Sequence, residues 1–146
     1  MPTPALQTPH VPPGERVRFR ARCRTRWSDE DNQAVLNNAV YLTLFEEARH
    51  AYFGSLGLLA ANRFPFLLAA CNVRFLRPGR GGVDVEVETI TLHLGTTSFR
   101  QAYRVRCGGE VWAEAEALLV CYDPATNAPA PMAADFRAAI ATFEGL

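Results

Sequence analysis

A single long run of helical spacing, set in a chain that elsewhere alternates with the two-residue period of strands, leaves few ways to fold. The run lies in the stretch WSDEDNQAVLNNAVYLTLFEEARHAYFGSLG, Trp27 to Gly57. An acidic, polar loop from Ser28 to Gln33 leads into the pair Asn37-Asn38, and beyond it Tyr41, Leu44, Phe45, Ala48 and Tyr52 recur at steps of three and four. That spacing gathers them on one helix face, and Gly54 and Gly57 mark its end, so a helix is expected from Asn38 to Leu56. One buried helix with a sheet around it is the simplest arrangement.

The strands follow from alternation. From Arg16 to Trp27, six arginines (16, 18, 20, 22, 24 and 26) point one way while Val17, Phe19, Ala21, Cys23, Thr25 and Trp27 point the other. A row of arginines can serve as a phosphate stripe. Here Asp84, Glu86 and Glu88 hold the wet positions of a strand from Val83 to Leu94, and Glu114 and Glu116 hold that phase in a later one. Cross-strand ion pairs therefore account for the row better than a nucleic-acid surface does. A largely apolar run, Phe66 to Leu76, reads as a strand buried on both faces or pairing across an interface. Strands from Ser98 to Cys107 and from Glu110 to Tyr122 flank the hairpin signal Gly108-Gly109, and Val111, Ala113, Ala115, Ala117 and Leu119 form an inner row whose alanines leave room for a helix. A short C-terminal helix then presents Phe136, Ile140 and Phe143. Helices on one face of an antiparallel sheet make an α+β domain.

With 146 residues, one domain is expected over 16–146, behind a proline-rich leader, 1–15, without fixed structure. Fifteen acidic residues balance fifteen basic ones, all of them arginine, so no net field draws the chain to nucleic acid or membrane. The four cysteines are scattered through apparent strands with no C-x-x-C pair, as suits reduced thiols in a cytoplasmic protein. No apolar run is long enough to span a bilayer.

The segment RWSDEDNQAVLNNAVYLTLFEEAR, followed by VRFLRPGRGG and by LGTTSFRQAYRV, resembles the 4-hydroxybenzoyl-CoA thioesterase group of hotdog-fold acyl-CoA thioesterases, over roughly Arg16 to Asp123. The most specific part is aspartate-x-aspartate, then Asn-Asn-x-x-Tyr, then Glu-Glu-Ala-Arg. The resemblance implies a five-stranded antiparallel sheet, order 1-3-4-5-2, wrapped around the central helix. It also implies a homodimer or homotetramer with the site between subunits, for which Phe66 to Leu76 is the expected seam.

By themselves, Asp29 and Asp31 read as loop or capping residues. Thioester hydrolysis asks for little more than a carboxylate and donors for the developing oxyanion, because a thiolate leaves readily. A carboxylate in the loop before a helix, beside the free N–H groups of the first turn, supplies both, and Asp31 lies six residues before Asn37. By the resemblance, Asp31 is the nucleophile or general base and the backbone N–H of Asn38 polarises the thioester carbonyl. Asn37, Tyr41 and Ser98 would lie against the substrate, and Arg77, Arg80 and Arg100 would hold CoA phosphates at the rim. CoA enters as part of the substrate, with no further cofactor. Asn37 or Asn38 is otherwise an N-cap, and Glu46 and Glu47 on the helix are the runner-up carboxylates. His10, His50 and His93 have no metal-ligand spacing.

One departure stands out: Ala34-Val35 replaces the Gly-His of many relatives. Alanine resists a positive φ, so the loop is expected to run a different course. Three alternatives stay open: an acyl-carrier-protein thioesterase, a hotdog dehydratase, disfavoured because the motif loop has no histidine, and a non-catalytic acyl-binding protein. Phe45, Tyr52, Phe53 and Phe64 serve either an acyl pocket or the core.

Overall fold

A computed structural model describes residues 7–146. Eight regular elements follow in order: β1 (Phe19–Arg24), α1 (Asn38–Ser55), β2 (Phe66–Phe75), β3 (Asp84–Leu94), β4 (Ser98–Cys107), β5 (Glu110–Asp123), β6 (Ala128–Pro129) and α2 (Ala134–Glu144). The sheet is antiparallel throughout, in the order β1-β3-β4-β5-β2, with the short β6 added to the end of β5. It curls around α1 in a hotdog fold.

Two arginines of the row find acids on β3, while Arg26 pairs with Asp29 and Arg18 donates to the Phe143 carbonyl. Arg24 bonds Asp84 at 2.9 Å, and Arg20 lies 3.5 Å from Glu86 and 3.6 Å from Glu88. Glu88 is buried and also receives Arg104 at 2.6 Å and Arg106 at 2.9 Å. Burial alone would raise its carboxyl, but the hydrogen bonds from the two arginines hold it below the usual carboxylate range. Residues of the expected leader lie over this cluster: Arg104 donates to the carbonyls of Val11 and Pro12, the His10 N–H donates to Glu116, and Asn72 donates to the Gln7 carbonyl. Residues 1–6 fall outside the described chain.

Three strand expectations need correcting. The first strand ends at Arg24 instead of Trp27, because the Asp29 carboxylate takes the Arg26 N–H and turns the chain, which swings Trp27 out to 82% exposure. Trp112 is fully buried although its position reads as outward: a β-bulge opposite Val105 and Arg106 breaks the two-residue period and turns it inward. The strand Phe66 to Leu76 is not buried on both faces. It is a sheet edge with Leu67, Leu68, Phe75 and Leu76 exposed.

Phe45, Ala48, Tyr52 and Phe53 of α1 are wholly buried in the shared core, and the helix lies closest to β1 and β3 instead of the alanine row of β5: Tyr52 meets Phe19 of β1 edge-on, and Phe45 stacks on Tyr103 of β4. The four aromatic candidates divide between core and margin: Phe53 stacks on Phe136 and meets Phe66 and Phe99 edge-on or tilted, while Phe64 is only partly covered. A hydrogen-bonded chain crosses this interior. Arg49 Nε donates to the Tyr103 hydroxyl at 2.9 Å, which donates to Gln101 at 2.6 Å; Gln101 donates to Thr91 at 3.1 Å. Tyr52 stands beside Thr91 at 3.0 Å and donates to Glu144 at 2.7 Å, so α2 is tied to the centre of the fold.

Candidate active site

The two aspartates of the loop have separate jobs. Asp29 is 7% exposed and takes the Arg26 backbone N–H at 2.8 Å and its guanidinium at 3.1 and 2.9 Å. Hydrogen bonds from the Arg26 side chain, with a further one from its backbone and its charge, hold the Asp29 carboxyl below the ordinary range. The Asp29 carbonyl also accepts the Asn37 N–H at 2.9 Å, which closes the loop at the foot of α1. Asp31 forms no ion pair among the described residues. Its Oδ1 accepts the Gln33 N–H at 2.7 Å, a local Asx turn that fixes the carboxylate and leaves the other oxygen free.

Within the loop, the Asp31 N–H donates to Val35 and the Ala34 N–H to the Asp31 carbonyl. Ala34 adopts φ 58°, so the expectation of a different course is corrected: the residue occupies the left-handed conformation that alanine resists. The strain, about 1 kcal/mol, is tolerated because hydrogen bonds on both sides determine the turn. Asn37 caps α1, its side chain accepting the Ala39 N–H at 3.0 Å, and Asn38 is the first helical residue. Its N–H has no acceptor within the chain among the described residues.

The RPGRGG segment lies under this loop. Leu36 N–H donates to the Gly79 carbonyl at 2.9 Å, and Gly81 N–H donates to Glu30 at 3.3 Å. A Cβ on Gly79 would stand 2.7 Å from both the Trp112 ring and the Tyr41 hydroxyl, and one on Gly81 would stand 2.2 Å from the Arg26 carbonyl oxygen. Glycine is therefore required at both positions for the segments to approach. Tyr41 is buried beneath, edge-on to Phe75, and burial pushes its hydroxyl up to about 12 despite the Gly79 N–H beside it. It supports the loop from inside. Glu30, Gly79 and Gly81 lie inside the motifs that carry the resemblance but have no role assigned by it, and Trp112 lies outside them; all four support the loop.

Arg77 and Arg80 ride on the same segment, exposed and outside every ion pair among the described residues, with Arg80 5.9 Å from the Trp112 ring centre. Arg100 is elsewhere, on the outer face of β4, bonded to Glu116 at 2.6 Å. Ser98 opens β4 at its other end, seven residues from the Val105 that faces the Trp112 bulge. Along a strand that is about 23 Å, so one protomer does not bring Ser98 to Asp31. The helix carboxylates also part: Glu47 is beside Cys23, whose thiol burial pushes up to about 11 with help from that carboxylate, while Glu46 lines a small cavity against β2. An apolar cavity of about 440 Å³, lined by Leu58, Leu59, Tyr122 and Phe136, lies at the C-terminal end of α1, the helix length of roughly 27 Å from Asn38.

Residues 25–140 match the profile of the Thioesterase-like superfamily. The chain belongs to that superfamily. It is accordingly a thioester hydrolase of the hotdog fold. A thioesterase from Thermus thermophilus, solved with coenzyme A and zinc, is 33% identical, with 90% of this chain and 98% of that one covered at a TM-score of 0.80. A predicted thioesterase from Bacillus stearothermophilus is 25% identical, with 86% and 95% covered and a TM-score of 0.78. A 1,4-dihydroxy-2-naphthoyl-CoA thioesterase from Synechocystis, at 20% identity and a TM-score of 0.75 over 84% and 94% of the two chains, shares the fold. Comparison with curated proteins finds no match.

Proposed function

We propose that this enzyme hydrolyses an acyl-CoA thioester to a free carboxylate and CoA, with Asp31 as nucleophile or general base. The observation that carries the reading is the free carboxylate oxygen of Asp31, held by an Asx turn in the loop that ends at the unpaired N–H of Asn38. Attack by Asp31, or by water that Asp31 deprotonates, forms a bond to the acyl carbon and pushes its electron pair onto oxygen. The Asn38 N–H, at the positive end of α1, stabilises that oxyanion. Collapse breaks the C–S bond and the thiolate departs without needing a proton. If Asp31 attacks directly, water then hydrolyses the anhydride; the route needs no group beyond CoA.

Arg77 and Arg80, on the segment beneath the loop, are the arginines positioned for CoA phosphates, whereas Arg100 is committed to Glu116. Two copies would share the site. The free edge of β2 with its exposed leucines and Phe75 is the seam, and a two-fold axis there turns the partner end for end. That is how Ser98 would reach Asp31, from the partner. A homotetramer would pair two such dimers. A cytoplasmic location belongs to the same reading and is supported by cysteines that are all free thiols. No described helix is long and apolar enough to cross a membrane.

The test is free-thiol release from a panel of aliphatic and aromatic acyl-CoAs by the parent and by Asp31→Asn. The parent should turn over at least one, and the variant should fall about 10²-fold or more with its circular dichroism unchanged. Equal rates would remove Asp31 from the chemistry. Matched carrier-protein thioesters in the same assay decide between the two thiol carriers. The left-handed Ala34 supports the catalytic reading over the non-catalytic one, and a parent that hydrolysed no member of the panel would favour acyl binding alone.

A further inference from the structure

Arg49 is a buried cation without a counter-ion. It is 5% exposed, its Nε is spent on Tyr103, and its guanidinium lies 5.3 Å from that ring's centre. It makes no ion pair, and its two terminal amino groups donate to nothing, among the described residues. It lines a cavity of about 260 Å³ between α1 and β2, whose walls include Leu42, Phe64, Leu67 and Leu68. Glu46 lines the same cavity, exposed and equally outside any ion pair among the described residues. Neither terminal amino group is sealed off from solvent, so both open onto this cavity with donors to spare for a further acceptor.

We propose that Glu46 of each copy pairs with Arg49 of a second copy across this face, two equivalent ion pairs that lock the homodimer. The inference rests on the reading that two copies meet along β2, and it names what fixes them there. A two-fold interface must be complementary to itself, so that if one residue meets another, the reciprocal contact exists too. This face satisfies that rule with one unpaired carboxylate and one unpaired guanidinium, a single helical turn apart on α1, framed by the exposed Leu42, Leu67 and Leu68 and by the unpaired edge of a ten-residue strand. The hydrogen-bonded chain behind Arg49 holds its head in place through Tyr103 and Gln101, so little freedom is lost when the partner's carboxylate arrives. Within its own chain, Glu46 does not reach Arg49, and Glu47 faces Cys23 on the other flank of the helix. The pattern thus separates the two adjacent glutamates: one serves the seam and one does not.

Sedimentation equilibrium over a wide concentration range tests it with the full chain. Glu46→Gln should weaken the dimer about tenfold per pair, hence about a hundredfold for two. Glu46→Arg should weaken it further by placing like charges together, and Glu47→Gln should leave the dissociation constant unchanged. Glu46 is exposed, so the first two variants keep the fold, which circular dichroism verifies. A dimeric parent whose constant moves less than twofold in Glu46→Gln and Glu46→Arg overturns the lock while leaving the dimer intact. A parent that sediments as a monomer overturns the dimer as well.

Discussion

Asp29→Asn and Asp31→Asn, identical in chemistry and two residues apart, should fail in opposite ways. Both oxygens of Asp29 accept from donors: one takes the Arg26 N–H at 2.8 Å and the other its guanidinium at 3.1 and 2.9 Å. The amide nitrogen of an asparagine must therefore face a donor whichever way it is turned. The guanidinium is largely exposed, so its share is small, and most of the loss comes from the backbone bond beneath the loop. Leaving that backbone N–H without its acceptor costs about 2 kcal/mol, or about 6 °C in Tm for a chain of this size. Asp31 uses one oxygen, for the Gln33 N–H, and asparagine keeps that acceptor, so Asp31→Asn should unfold within about 0.5 kcal/mol of the parent. Urea unfolding and thiol release, run on both variants, give the four numbers. Asp29→Asn should keep its rate within a few-fold at temperatures well below its transition, while Asp31→Asn keeps its stability and loses turnover. If Asp29→Asn were as stable as the parent, or Asp31→Asn as unstable as Asp29→Asn, the division of labour between them would be refuted.

Other expectations follow from the same loop and sheet. Ala34→Gly relieves about 1 kcal/mol of left-handed strain and returns about half of that as extra freedom of the unfolded chain, so it should stabilise by about 0.5 kcal/mol in urea with its rate unchanged. Gly81→Ala drives a Cβ to 2.2 Å from the Arg26 carbonyl, where backbone rather than a flexible side chain has to move; unfolding should show a loss of about 3 kcal/mol, and turnover should drop with it. Asp29 and Glu88 both have carboxyls held low in the folded state. Their contribution is complete above their unfolded values of about 3.9 and 4.3 and is lost as pH falls through the lower folded values, so the urea midpoint should decline below about pH 4. A midpoint flat down to pH 2 would contradict it.

The helix was legible because its signal repeats, while the strand order came from the family likeness, with one repeating charge pattern in agreement. Tyr41 to Tyr52 keep a helical period over a dozen residues, and the acids of β3 answer the arginines of β1 one for one. What escaped was set by single contacts. Trp112 turned inward through one extra residue in a strand, and Trp27 turned outward because a carboxylate two positions on captured its neighbour's N–H. Neither event leaves a periodic trace. The role of Asp31 could be raised from the sequence only by likeness, since a loop carboxylate has no spacing of its own. What separates it from Asp29 is the choice of donor, the Gln33 N–H for one and Arg26 for the other, which no spacing encodes. Ser98 shows a further limit: a motif that is contiguous in order can be distributed over two ends of one sheet.

The strap formed by residues 7–13 limits what can reach the sheet beneath it. It roofs the convex side where Arg104 meets the carbonyls of Val11 and Pro12, with Pro9 and Pro12 packed down beneath it. The strap turns Thr8, His10 and Pro13 outward there in place of a bare pleated surface. Any molecule that approached this side would therefore touch the strap before it touched the sheet.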